Sequence, residues 1–542
     1  MKTNHSIYWG AALALLLLGL ASCTTSKDED SAAPPGAKTA GAHPQAPDWS
    51  SDDLAFFLHG SMSTEVAPET VLRAFIRTYP DLFLKEDLSQ FGLIPDSTFG
   101  WPIGFSRSKP KHLGSLPAVG LNCAACHVGE VQAAPGGPPV RVLGITSHFD
   151  AEAFFGALII SGFRTADPGN FRRFLGEYLA ASDPAGAEAV QALLQTEWQR
   201  QEANILAILA ADPTASKGLT PGQLHELSAA DLRLNRESLA AGQDLSALTG
   251  SVLKLIHNMR AALHVPDQPP TEAPPASGPG RNDAFGLLSL ALFGQPQSYA
   301  PVKYGLVWNV AHRYWVHWDG NTRSPIGRNL LAALGLGALL DGKRGCLDFA
   351  LVQRHTTLSE DLRPPRYPWA IDQAVAARGA KHYQSRCATC HSGAESDQRL
   401  HDPAEVGTDP RRAAGFTPLQ AQRFDTFLAE LQIPGYTPPK EPGIRSTQRY
   451  WAPNLGGVWA RSPYLHNGSV RTMQELLSPA AARAKSFHRG SRVYDVAQMG
   501  YTDEGAYLLD TTTGGNSNAG HEYGAGLSNA EKLELIEYLK TL

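Results

Sequence analysis

This chain has no excess of basic charge, no long apolar run and little sulfur, and each shortage closes off a class of protein. Lysine and arginine number 47 against 52 acidic residues, a formal net charge of -5. No basic stripe stands out, so nucleic-acid binding has no electrostatic support. The one strongly apolar stretch, Ile7 to Ala21, runs for about 15 residues, short of a membrane span. No segment reads as rich in strands, so the expected fold class is mainly α with long loops. Six cysteines and five methionines are spread over 542 residues. The positions of those few cysteines decide which chemistry the chain can carry.

Four of them sit in two copies of one pattern, Cys123-Ala124-Ala125-Cys126-His127 and Cys387-Ala388-Thr389-Cys390-His391. C-x-x-C-H is the attachment pattern of c-type haem. Two cysteines three apart can each form a thioether to one vinyl group of the same porphyrin. The following histidine is held beneath the iron as its proximal ligand. A structural zinc site needs four protein ligands together, and these pairs lie hundreds of residues apart. A redox dithiol has no need of an adjoining histidine. The expected cofactors are therefore two covalently bound haem c groups, with Cys123, Cys126, Cys387 and Cys390 as tethers. His127 and His391 are the expected iron ligands.

The N-terminus reads as an export signal. Lys2 precedes the apolar stretch, which ends Leu20-Ala21-Ser22-Cys23. Small residues before the cysteine resemble a bacterial lipobox, which makes residues 1–22 a lipoprotein signal peptide and Cys23 the lipidated first residue. Residues 23–48, rich in Ser, Asp, Ala and Pro, read as a disordered tether. The expected location is the bacterial cell envelope, as a periplasmic or cell-surface lipoprotein held to the membrane by its lipid. Export also suits haem attachment outside the cytoplasm. Cys346 then remains alone as a buried structural thiol, and no intrachain disulfide is expected.

Residues 49–370 are expected to form an N-terminal haem domain. Pro68 opens a helix carrying Val71, Leu72, Phe75 and Ile76. Residues 92–122, rich in Gly, Pro and Ser, read as loop. Asp150 caps a helix through Phe154, Phe155, Leu158 and Ile159, with Gly162 at its end. A helical insertion at 185–262 carries His225 and His257, read as surface residues, and a proline-rich stretch follows at 264–280. An aromatic stretch holds Tyr304, Trp308, His312, Tyr314, Trp315, His317 and Trp318. Its expected place is the wall between the haems. Residues 326–341 read as a buried helix. Residues 371–542 are expected to be a C-terminal cytochrome c domain. A helix at 376–385 runs into Cys387, and Ser528 to Glu531 makes a capping box for a last helix with Leu533, Ile536, Leu539 and Leu542 inward.

The sixth position at each iron separates electron transfer from oxygen or peroxide chemistry. For the second haem the candidates are His521, flanked by Gly520 and Gly524, then Met499 and His466. For the first haem His148 is the nearest candidate, and otherwise an open or water-bound iron is expected. Arg281 is a candidate partner for a haem propionate.

Two C-x-x-C-H motifs far apart, the run Pro463-Tyr464-Leu465-His466-Asn467-Gly468-Ser469 and the terminal helix resemble the bacterial dihaem cytochrome c peroxidase superfamily. Gly280-Arg281-Asn282-Asp283, Trp318-Asp319-Gly320-Asn321 and Gly520-His521-Glu522-Tyr523-Gly524 look closest to the branch containing the dihaem rubber oxygenase. The resemblance runs from about residue 50 to the end. It implies two cytochrome c-like haem domains and an oxidoreductase. The haem on His127 meets peroxide or dioxygen, and the haem on His391 and His521 passes electrons. Trp318 is the first choice for a catalytic role between them. The implied partners are the oxidant, an organic substrate in the oxygenase case, and an external electron donor protein. The alternative is a non-enzymatic electron-transfer dihaem cytochrome c.

Overall fold

The computed structural model describes residues 43 to 542 except 111–115, 166–167, 182–275, 294–299, 312, 314, 324, 339, 342–343, 346 and 394–398. The signal peptide, Cys23, most of the tether, the insertion with His225 and His257, His312, Tyr314 and Cys346 lie outside the described residues. Among the described residues no helix is long and apolar enough to cross a membrane.

The N-terminal half is built to hold its haem motif between two small sheets. Ser50 caps the helix Ser51–His59 through a reciprocal box with Asp53, and Phe56 and Phe57 on that helix are fully buried. Burying each ring is worth about 2–3 kcal/mol. Strands β1 (Glu65–Pro68), β2 (Phe105–Ser108) and β3 (Ala118–Leu121) form an antiparallel sheet in the order β1-β3-β2. Central β3 is buried along its whole length and runs straight into Asn122 and the first motif. Strand β4 (Val128–Val131) leaves the motif and pairs with β5 (Val140–Leu143). The stretch 92–122 thus contains two strands where its Gly, Pro and Ser suggested only loop; Val119 and Leu121 supply the apolar faces that fix them in the sheet.

The helix Glu69–Thr78 begins directly after Pro68 and buries Val71, Leu72, Phe75 and Ile76, as its spacing predicts. The helix Pro168–Ala181 packs on it, with Phe174 against Phe75 at 5.0 Å between ring centres. Asp150 accepts from the Ala153 backbone N–H at 3.0 Å and so caps the helix Ala151–Thr165. That helix does not end at Gly162. The Thr165 hydroxyl bonds back to Ser161 O at 2.8 Å and meets the Tyr79 hydroxyl, so tertiary contact carries the last turn past the glycine. The stretch 326–341 also differs from a single helix. The helix Pro325–Gly335 stops, Gly337 turns at φ +113°, and Leu340–Asp341 pairs with Arg344–Gly345. A left-handed glycine just past the last turn is a usual helix stop.

In the C-terminal half the helix Gln373–Arg386 leads into Cys387, and the capping box of Ser528 and Glu531 opens the helix Asn529–Leu539. These two helices cross where Gly379 has no side chain: a Cβ there would lie 1.9 Å from Glu534 O. The buried face of the last helix is Leu535, Ile536 and Leu539, while Leu533, expected inward, is 52% exposed. The crossing at Gly379 sets this rotation, because it requires the Glu534 backbone to face the first helix.

The core does not respect residue 371. One apolar cluster takes Phe57, Val142 and Trp308 from one side and Trp459, Tyr494 and Leu535 from the other. Gln132 N–H donates to Arg492 O and Gln132 O accepts from Tyr494 N–H, both at 2.8 Å.

Gly379→Ala is expected to lower stability by about 3 kcal/mol, because the new methyl meets backbone. Gly176→Ala, in open space on a helix, should instead stabilise by up to about 1 kcal/mol. Thermal unfolding of the two variants beside the parent checks both signs.

Candidate haem sites

The first motif is held by local chemistry and by a glycine. Asn122 Oδ1 accepts from Ala124 N–H at 2.9 Å and caps the short helix Cys123–His127, while its Nδ2 donates to Gly60 O at 2.9 Å. Gly104, at φ +92°, passes so close that a Cβ would stand 2.2 Å from Ala125 N. Ala124 and Ala125 are buried. Cys126 and Cys123 face different apolar clusters, Cys123 with its sulfur 3.4 Å from that of Met62. Neither is paired in a disulfide. Burial pushes Cys123 up to about 11 and Cys126 up to about 12. A working redox dithiol is favoured by the opposite shift. Among the described residues no group of three or more His, Cys, Asp or Glu is placed to hold a metal ion on its own. The His127 ring lies edge-on to Tyr304 at 6.3 Å. Burial, with help from Arg328, lowers it to about 3, partly offset by the Gly305 main chain. It is therefore neutral, the form in which imidazole binds a metal.

The second motif is more open: no residue of the helix Ala388–His391 is buried. His391 Nδ1 donates to Pro453 O at 2.8 Å. A carbonyl only accepts, so Nδ1 carries the hydrogen and Nε2 is left as the ligating atom, a usual arrangement behind a metal. Burial pushes the Cys387 thiol up to about 11 and holds His391 below its usual value.

His521 comes to meet His391, their ring centres 6.1 Å apart with 50° between planes. An atom bound by both imidazoles would separate the centres by roughly 6 Å, from about 2 Å per metal–nitrogen bond plus each ring's radius. The approach depends on Gly520, at φ +79°, where a Cβ would strike the Gly407 carbonyl carbon at 2.4 Å. His521 itself sits at φ +53°, and its N–H donates to Val406 O at 2.8 Å. Arg483 pins the loop from beneath. Its guanidinium donates to the carbonyls of Glu475, Leu476, Ser478, Asn518 and Gly520 at 2.5–3.2 Å. His401 Nε2, Thr408 Oγ1, Trp451 Nε1 and His521 Nδ1 are buried without a hydrogen-bond partner. Four orphaned polar atoms near one pair of imidazoles are costly unless a polar-edged group meets them. A haem with two propionates fits that requirement.

The other candidates fall elsewhere. His466 stacks on Tyr450 at 4.2 Å, and its carbonyl accepts from Lys303 N–H at 3.0 Å. Met499 is fully buried, and its carbonyl accepts from the Tyr464 hydroxyl at 2.9 Å. Neither is brought to His391. His148 is buried edge-on to Tyr501 at 4.8 Å, in a cavity with Arg471 and Arg489. Arg281 is fully buried and donates to Ser277 O, Asn467 O and Asn516 Oδ1 at 2.7–3.0 Å, so its contacts tie loops together. Trp318 Nε1 donates to Lys303 O at 3.0 Å, and the Lys303 ammonium lies 5.4 Å from the centre of its ring. Trp308 Nε1 donates to Gly456 O at 3.1 Å.

Pro453, Arg483 and Lys303 carry no motif of their own. Each acts on partners distant in sequence, as Pro453 does on His391, so no local pattern marks them.

The RoxA-like, cytochrome c-like family matches residues 449–488. That segment holds Tyr450, Trp451, Pro453 and the run from Pro463 to Ser469. An uncharacterized protein of Sinorhizobium fredii is 27% identical over 572 residues, covering 85% of this chain and 85% of that protein. A second uncharacterized protein of the same organism is 29% identical over 323 residues, 50% of this chain and 72% of that one. The family match implies a haem c cofactor and suggests a haem cytochrome of the RoxA type.

Arg483→Ala is expected to cost on the order of 3 kcal/mol, since several buried carbonyls lose their donor. Arg483→Lys should recover little, because an ammonium cannot reproduce the planar fork. Urea unfolding gives the stability. Limited proteolysis should cut both variants within 514–524 before it cuts the parent.

Proposed function

We propose that the chain is an exported dihaem c-type cytochrome oxidoreductase that meets peroxide or dioxygen at the haem on His127 and moves electrons through the haem on His391. The observation that carries this reading is the asymmetry of the two proximal histidines. The imidazole of His391 faces that of His521 at the spacing of a shared iron. The ring contact of His127 is Tyr304, which is not a histidine or methionine. One iron is then saturated and suited to electron transfer, and the other keeps a face for an external ligand.

The haem supplies redox chemistry and a place for the oxidant. The protein's own part is to orient, to enclose and to connect. Pro453 fixes the His391 tautomer, and Gly520 lets His521 approach. A continuous contact path supports the connection. Tyr304 lies against His127, its neighbour Lys303 accepts from Trp318, and Trp318 O accepts from Trp451 N at 3.1 Å, two residues before Pro453. Trp318 keeps its proposed role on this path. The lipid anchor at Cys23 and placement in the cell envelope rest on the N-terminal sequence.

The holoprotein should give two haems per chain by pyridine haemochrome and intact mass, resistant to acid-acetone extraction. His521→Ala should convert one low-spin iron to high spin in electron paramagnetic resonance without loss of haem. In the parent, one reduced haem of the two should bind carbon monoxide. A chain with one haem, or with no response at either iron, would reject the reading.

A further inference from the structure

Trp315–Val316 and Thr322–Arg323 form a two-stranded ribbon, and His317 stands in its turn at φ +72°. A histidine held in that region costs about 1 kcal/mol or more and marks a place where side-chain direction matters. His317 Nδ1 lies 2.7 Å from Asn321 Oδ1 and 3.2 Å from Thr322 Oγ1. Asn321 Nδ2 donates to Asp319 Oδ2 at 3.1 Å, and Thr322 Oγ1 donates to Asn321 Oδ1 at 2.9 Å. With the amide nitrogen committed to Asp319, its oxygen faces the imidazole. Nδ1 then carries the hydrogen and Nε2 the lone pair. Asp319, Asn321 and Thr322 are all buried, so this orientation is rigid. Among the described residues no protein group hydrogen-bonds to Nε2.

The ring of His317 lies edge-on to Phe285 at 5.1 Å, and Phe285 belongs to the apolar cluster that receives Cys123. Arg328 lies on the helix Pro325–Gly335. Its Nε donates to Asn329 Oδ1 at 2.9 Å, its charge is felt by Glu360, and among the described residues its two terminal nitrogens make no hydrogen bond. Its charge acts on Cys123, His127 and His317 alike. Burial, reinforced by Arg328 and Arg412, lowers His317 to about 3. The ring is thus neutral, with the unshared pair at Nε2.

We propose that His317 and Arg328 are the polar pair at the reactive face of the first haem, His317 Nε2 as proton acceptor and Arg328 as partner of the anion that forms. With hydrogen peroxide, Nε2 takes the proton of one oxygen and returns it to the other. The O–O bond would then break as the second oxygen leaves as water with both protons, and the first oxygen would be the one that the donor's electrons reduce. Two electrons from the external donor and two protons from solvent complete the reduction of one peroxide to two waters. The proposal rests on the reading that the haem on His127 keeps an open face, and it favours peroxide over dioxygen as the oxidant.

Cyanide separates the two claims. Hydrogen cyanide binds as the anion and must lose its proton to a base, so association measured from the Soret change at neutral pH reports Nε2 directly. The holoprotein should bind potassium cyanide at one haem. His317→Leu should slow association by about 100-fold with haem content unchanged. Arg328→Gln, a half-buried position, should raise the dissociation constants for cyanide and fluoride by about tenfold, which keeps the test alive if the first variant folds poorly. Cyanide binding in the parent with unchanged rates and affinities in both variants overturns the pair and leaves the open face standing. No cyanide binding at either haem overturns the open face itself. A low-spin to high-spin change in ligand-free His317→Leu would make His317 an iron ligand and overturn its role as a base.

Discussion

Buried cations solvated by main-chain carbonyls hold this molecule together. Lys303, Arg281 and Arg489 are all but inaccessible, and among the described residues none is matched by a hydrogen-bonded carboxylate. The Lys303 ammonium donates to the carbonyls of Arg461 and Pro463, and Arg489 donates to those of Pro279 and Gly468. Removing a cation from water costs several kcal/mol, and only well-aimed acceptors recover it. The acceptors come from opposite halves of the chain. The ribbon of Arg281–Asn282 with Val302–Lys303 is therefore locked to the run from Pro463 to Ser469. The same seam carries Tyr304 to His127 and Trp318 toward Trp451.

Burial shapes the titration of everything near the seam. Lys303 falls well below its usual value because it is desolvated beside Arg461 and Arg489. His466 drops to about 3 for the same first reason, with Arg412, Arg281 and Lys303 adding to it. A neutral His466 stacked on Tyr450 explains how a histidine can sit among so many cations.

What could be read from sequence was chemistry confined to a few neighbouring residues. Cys123 to His127 and Cys387 to His391 announce themselves because tether and ligand are adjacent. His521 was readable because the glycines around it signal close backbone approach, and Gly520 does make that approach. Ser50, Asp150 and Ser528 cap their helices through bonds spanning three residues. The misses share one cause, which is that the deciding contact is distant. Gly162 does not stop its helix, because Tyr79 and Ser161 hold Thr165. Leu533 turns outward because Gly379 fixes the roll of the last helix. His148, a short loop past the first motif in sequence, packs edge-on to Tyr501. His317 gave no signal beyond its aromatic neighbours, since its orientation rests on Asn321 and its setting on Phe285 and Arg328.

The two attachment motifs differ in how much of the fold encloses them, and that difference bears on maturation. Ala124 and Ala125 are sealed between β3, β4 and the turn at Gly104, whereas no residue of Ala388–His391 is buried. An attachment enzyme must grip the peptide around both thiols. Once residues 104 to 131 have closed, the first motif offers no such grip, while the second still stands at a surface. On the proposed dihaem reading, attachment at the first motif would have to precede the closing of residues 104 to 131, and attachment at the second could follow on a largely formed chain. A defect in export or attachment would fall on the first motif before the second.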